Sequence, residues 1–420
     1  MAFASEWLDT RALFPDLIIE APDGETGVIV VIPAYNEPGI ADVLNSLKAC
    51  DEPDCRTEIL IIVNSPLQSN TDQETDKATL AAIEKWKNEN HDYFFRLYPL
   101  CVDTSPFTGW GAGLARKTGM DEAVRRFNNT GRSEGVIASL DADCVVEKNY
   151  LTALCNELLK RKERSGCSIS FEHQLAGSQY PETILKAAAL YELHMRYFYQ
   201  GLKYSGLPHV FHTIGSAFAV KAFPYVRSGG MNRRQAGEDF WFIQKLIPAG
   251  GWFSLNTTKV YPSPRPSGRV PFGTGPVVAR IVSENQKDLL TYNIRGFREL
   301  RSLFGVIDRA FHHGTEQNSF IYGDIPCGVQ LFISEKEWCE RIKEIKTNTS
   351  GLQSFKKRFF NWFNMFRTVK YLNFVHKNIL SRVPVTVSAR ELLHSLGINS
   401  VPDDPEGLLM ICRALEDDGQ

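Results

Sequence analysis

At 420 residues, the chain is long enough for two or three domains and a full hydrophobic core. Hydrophobic residues make up 43%, charged residues 23%, and the formal net charge is −2, so no global field recruits nucleic acid and any anion binding must be local. The nine cysteines show no CxxC pair and no zinc-ligand spacing with histidine, and they read as reduced thiols of a cytoplasmic protein.

Residues 1–20 carry acids and Pro15 where a secretory leader needs a basic start and an apolar core. No apolar run approaches the roughly 20 residues that cross a bilayer, so the expected protein is soluble or at most peripheral to a membrane. The first strong signal is Gly27-Val28-Ile29-Val30-Val31-Ile32-Pro33. This continuous β-branched run predicts a strand buried on both faces, as in a parallel sheet. Residues 34–39 make a turn, and Ile40, Val43, Leu44 and Leu47 carry helical spacing over 40–50. A second apolar run, Ile59 through Val63, ends at Asn64-Ser65-Pro66, and a polar stretch then leads to a helix over 77–88. Alternating strands and helices place ligands outside the carboxyl ends of the strands. Three such ends are polar here: Tyr35-Asn36-Glu37, Asn64-Ser65 and Asp141-Ala142-Asp143.

A glycine-rich segment at 107–120 runs into a helix through 127. Its glycines, Gly113 among them, let backbone approach an anion, the helix start adds positive potential, and Arg116 and Lys117 add fixed charge. That reads as a diphosphate cradle, with a plain loop and a solvated basic pair as the alternative. It is neither a Walker loop nor a dinucleotide fingerprint. Val136-Ile137-Ala138 then feeds Asp141 and Asp143. Residues i and i+2 of an extended segment share a side, so the two carboxylates repel unless a cation lies between them. Hard oxygens suit magnesium or manganese, metals commonly shared with phosphate. Acids that merely cap a helix or tighten a turn are the plainer account.

Four segments together, VIPAYNE at 31–37, GAGLARKTG at 111–119, SLDADC at 139–144 and GEDFWF at 237–242, resemble the family-2 glycosyltransferases, which have the nucleotide-sugar-binding GT-A fold. The resemblance implies an α/β architecture, a mostly parallel twisted sheet flanked by helices, with a mainly helical C-terminal region. It implies a catalytic domain at 1–265, with a nucleotide-sugar half at about 25–145 and an acceptor half at about 146–265. Residues 266–281 read as a lid or linker and 282–420 as the helical region.

By the same resemblance, Pro33, Tyr35, Glu37 and Asn64 contact base and ribose, Asp141 and Asp143 hold the metal and diphosphate, and Asp239, beside Glu238, is the general base of an inverting transfer. Asn64 departs from the family's usual aspartate, which leaves the nucleotide open. The family's metal-binding histidine has no counterpart between His212 and His312, so Arg265 and Arg269, in the proline- and glycine-rich stretch 261–275, are expected to close over the diphosphate. The implied partners are a nucleotide-diphosphate sugar, a Mn2+ or Mg2+ ion, and a carbohydrate, lipid-linked or small-molecule acceptor lying near Glu172-His173, the helix at 181–204 and residues 209–213.

In the C-terminal region, residues 354–375 put Phe355, Phe359, Trp362, Phe363, Phe366 and Val369 on one helical face among basic residues. Such a helix either touches an anionic membrane or packs on the catalytic sheet or on a second copy of the chain in a homodimer. The family's QxxRW motif is absent, which argues against a processive polysaccharide synthase. Two other functions stay open: a non-catalytic nucleotide-sugar-binding scaffold of the same fold, and a sugar-phosphate nucleotidylyltransferase, whose GxGxR loop is missing.

Overall fold

The computed structural model describes residues 2–37, 39–64, 70–103, 107, 111–177, 179–232, 237–268, 273–314 and 318–417. The chain divides into two compact units, residues 1–180 with 211–279, and residues 181–210 with 280–420.

The first unit contains β1 (Thr26–Ala34), β2 (Arg56–Val63), β3 (Arg96–Cys101), β4 (Val136–Ser139), β5 (Cys144–Val146), β6 (Gly166–Phe171), β7 (Phe218–Lys221) and β8 (Trp252–Pro262). Among the described residues these form one sheet in the order β3-β2-β1-β4-β7-β6-β8-β5. β1 lies parallel to β2 and β4, and β2 parallel to β3, whereas β7 runs antiparallel to β4. The two apolar runs are buried because helices cover the sheet, as continuous β-branched strands require. In chain order the helices are α1 (Ser5–Arg11), α2 (Ile40–Lys48), α3 (Asn70–Glu89), α4 (Ala112–Asn129), α5 (Tyr150–Leu154), α6 (Glu182–Ser205), α7 (Ala222–Arg227), α8 (Glu238–Leu246) and α9 (Thr274–Ser283). The helix expected over 77–88 is α3, which starts earlier.

α4 sits directly on the sheet. A Cβ added at Gly119 would collide with Val31 Cγ1 and stand 2.9 Å from Ile62 Cγ1. Gly119→Ala is therefore expected to push α4 off β1 and β2 and to cost about 1–3 kcal/mol, measured by urea denaturation. A variant as stable as the parent would show that the helix has room to shift.

In the second unit, α6 packs against α10 (Ile294–Gly305) and the helices Val385–Ser395 and Pro405–Asp417. The sequence reading had put this helix in the acceptor half of the catalytic domain. It groups with the C-terminal helices because both its apolar and its charged positions find partners there. Tyr197 donates to the Tyr292 carbonyl at 2.8 Å, and buried Glu192 accepts from Arg196 and from Arg413, each at 2.8 Å.

The aromatic stripe of 354–375 also turns inward. Phe355, Phe359 and Phe363 are fully buried, packing with Phe304, Phe311 and Trp338. Several of the flanking cations are paired: Lys356 with Asp308, Arg358 with Glu344, and Arg367 with Glu337. The segment forms two helices, Leu352–Trp362 and Met365–Asn378, whose stripe packs among the other C-terminal helices in place of the expected catalytic sheet, and leaves little apolar face for a lipid surface. Among the described residues, no helix is long and apolar enough to cross a membrane.

Candidate active site

The site lies at the carboxyl ends of β1, β2 and β4. Beyond β1 the chain turns through Asn36, whose φ of +48° is a left-handed conformation that asparagine tolerates. The turn is pinned by Glu37, which accepts the Gly39 N–H at 3.1 Å. Glu37 is buried, and Arg265 donates both hydrogen bonds of a forked pair to its carboxylate, at 3.0 and 2.9 Å. This fork and the attraction of Asp143 keep the Arg265 guanidinium charged against partial burial. Arg265 thus links the end of β1 to the Asp143 region, with Tyr180 also nearby.

Pro33 lies within β1, in register with Ile62, and Tyr35 is half-buried just past the strand. Asn64, at the end of β2, donates its N–H to Ala34 at 3.2 Å and its side-chain amide to the Gly111 carbonyl at 3.3 Å. It ties two strand ends to the start of α4. Gly113 is buried in the first turn of that helix.

The centre of the site is Arg116. Only 3% of its side chain is exposed, and it donates to Asp141 at 2.7 Å and to Glu238. Its place depends on a glycine, because a Cβ at Gly215 would stand 2.7 Å from Nη2. Ser139 donates to the Gly215 carbonyl at 2.6 Å and so fastens that loop over the guanidinium. Glu238 and Asp239 occupy the first turn of α8, where the helix dipole favours carboxylates. Asp239 accepts the Phe240 N–H at 2.7 Å. Packed round by protein, though still partly open to solvent, its carboxyl is pushed up to about 6. Burial is the first cause and the Glu238 charge the second, with Arg116 opposing both. Asp141, Glu238 and Asp239 in turn hold Arg116 firmly protonated in a buried position.

Residues far apart in sequence, Glu37, Arg116, Asp141, Glu238, Asp239 and Arg265, thus gather at one edge of the sheet, with Asp143 beside Arg265. Lys117 does not join them. Its ammonium pairs with Asp121 at 2.7 Å, one helical turn along α4, and Tyr225 donates to the same carboxylate at 2.7 Å. Adjacent residues on a helix point about 100° apart, so the cradle holds one of the two expected cations. Arg269 lies outside the described residues. Within the expected lid, α9 is helical from Thr274, whose hydroxyl meets His173 Nε2 at 3.2 Å. Gly215 and Ser139 were not expected as site residues; a serine or glycine in a strand or turn carries no signal of an arginine beneath it. Among the described residues, no three His, Cys, Asp or Glu side chains gather to hold an ion unaided.

A mostly parallel sheet with acids at its central strand ends and an acidic helix start opposite defines a glycosyltransferase of the GT-A type. Residues 29–226 match the model of glycosyl transferase family 2, so this part of the chain is a domain of that family. Among solved structures, the chain is similar to a TarS fragment from S. aureus in complex with UDP-GlcNAc, at 14% identity over 80% of this chain and 91% of that one, with a TM-score of 0.38. It is similar to the mannosyltransferase PcManGT from Pyrobaculum calidifontis in complex with GDP-Man and Mn2+, at 13% identity over 99% and 92%, with a TM-score of 0.38. It is also similar to glucosyl-3-phosphoglycerate synthase from Mycobacterium tuberculosis in complex with Mn2+, UDP and its product, at 13% identity over 64% and 84%, with a TM-score of 0.36. No curated protein matches the chain by sequence.

Proposed function

We propose that the chain transfers a sugar from a nucleotide-diphosphate sugar to an acceptor hydroxyl, with inversion at the anomeric carbon and help from a divalent ion. The observation that carries this reading is the division of labour around Arg116. Glu238 is held in an ion pair with it, while Asp239 accepts a backbone N–H and its carboxyl is pushed up to about 6 by burial. A base should have its pKa close to the working pH and be free to take a proton, and Asp239 meets both conditions.

In the transfer, Asp239 accepts the proton of the acceptor hydroxyl as its oxygen attacks the sugar. Negative charge grows on the leaving diphosphate, and Arg116 and Arg265 supply fixed positive charge at that edge without reorganising. The carboxylates of Asp143 and Asp141 are hard donors, and, with no third His, Cys, Asp or Glu grouped with them among the described residues, they fit the mode in which substrate phosphates complete the shell of Mg2+ or Mn2+. When bound, the ion supplies Lewis-acid stabilisation of the departing diphosphate. Glu37 and Asn64 frame the nucleoside end.

The test is release of nucleoside diphosphate across a panel of UDP- and GDP-sugars with manganese. Turnover of one donor is expected, whereas tight binding without any turnover would leave a binding protein in place of an enzyme. Asp143→Ala is expected to weaken manganese-dependent nucleotide binding by about tenfold or more, read by calorimetry. Equal affinity in parent and variant, with and without the metal, would remove Asp143 from the ion's shell.

A further inference from the structure

Cys55 precedes β2, at the end of the strand opposite to Asn64, and Cys155 opens a π-helical turn, Cys155–Leu159. In that turn the Lys160 N–H reaches the Cys155 carbonyl at 3.0 Å, an i→i+5 bond of the kind that often marks functional sites. Two contacts bring these segments together. The Lys160 ammonium pairs with Asp54 at 2.6 Å. A Cβ on Gly27 would stand 2.8 Å from Cys55 Sγ and 2.7 Å from Leu159 Cδ2, so the sulfur and the far end of the turn pack over the same glycine. Against this frame the Cys55 and Cys155 side chains meet.

We propose that Cys55 and Cys155 form a peroxide-responsive thiol pair that closes to a reversible disulfide, tying the start of β2 to the π-helical turn. The Cys155 thiolate attacks one oxygen of hydrogen peroxide, the O–O bond breaks, and the departing hydroxide takes up a proton as water. The Cys55 sulfur then attacks the resulting Cys155 sulfenic acid. The S–O bond breaks, and the second hydroxide leaves as water with the Cys55 proton. Two thiols and one peroxide become one disulfide and two waters.

The local chemistry suits these roles. The contact with Cys55, helped by Lys160, holds the Cys155 thiol below its ordinary value against the effect of burial. The same contact, with burial, raises the Cys55 thiol. One sulfur is therefore the nucleophile and the other the resolving thiol. Cys55 is half-buried and Cys155 is buried beneath it. Burial instead pushes Cys50, Cys167 and Cys412 up to about 12 each, which keeps them as inert thiols.

In the test, the folded protein is treated with hydrogen peroxide, its remaining thiols are blocked with N-ethylmaleimide, and it is digested without reductant for mass spectrometry. The expected result is a peptide pair joined through Cys55 and Cys155 that dithiothreitol separates. Because the bond closes a loop of about 100 residues, the oxidised protein should also melt about 5 °C higher. Cys55→Ser should send Cys155 on to the sulfinic acid, and if that variant does not fold, the parent mapping still decides. The proposal is overturned if both cysteines stay as fully blocked as before peroxide, or if either is found joined to another cysteine.

Discussion

Asp239→Asn is expected to lower glycosyl transfer by about 10²–10⁴-fold while nucleotide binding persists. The amide keeps the shape of the side chain and still accepts the Phe240 N–H, but it takes up no proton from an acceptor. The same residue sets the pH dependence. Its carboxyl titrates at about 6, so kcat/KM should fall as pH drops below that value and the base becomes protonated.

Stability runs the other way. The folded pKa is raised above the ordinary 3.8, so the folded state holds the proton more tightly than the unfolded chain. That contribution is fully present below about 3.8 and is lost as pH rises through 6. Near pH 7 the asparagine variant should be no less stable than the parent, by an amount limited because the residue keeps some contact with solvent. Measurable turnover at the parental rate would remove Asp239 from its role, and a variant that denatures more readily at neutral pH would contradict the electrostatics.

The second large effect is expected at Arg116. Arg116→Met retains the apolar stem but leaves Glu238, buried and previously paired, without its cation, and brings Asp141 and Asp239 into uncompensated repulsion. Removing one partner of a buried pair costs about 3–5 kcal/mol. Most of that loss falls on Glu238, because Asp141 is half open to water. Guanidinium denaturation measures it. The surviving folded protein should also show its acid limb displaced above 6, since Arg116 is the charge that holds Asp239 down. The direction of that displacement separates this role from simple destabilisation. An unmoved limb would mean that Arg116 does not act on the base.

The core strands and the acid motifs were legible because each depends on local pattern. β1 and β2 are uninterrupted β-branched runs, which in water-soluble chains occur where both faces are covered. β3 was missed because Arg96–Cys101 has no such run, carries Pro99 and lies half-exposed at the sheet edge, where propensity says little. The grouping of α6 with the C-terminal helices was not readable from its spacing, since the same aromatic residues would serve a core in either unit. Arg116 and Lys117 formed a single basic pair in the sequence, and only the phase of α4 on the sheet separates the buried hub from the residue paired with Asp121. Glu238 shows a related limit, because two neighbouring acids look alike until one is found holding an arginine.

The direction of β7 has a consequence for how such a site changes over time. Ser139, the last residue of β4, pairs with Phe218, the first of β7, so the segment that enters β7 lies beside the carboxyl end of β4. The loops beyond the parallel strands and the segment that leads into β7 therefore emerge along a common rim. Insertions there can remodel which acceptor is admitted while the strand pairings beneath stay untouched, and new specificities are within reach of short loop replacements.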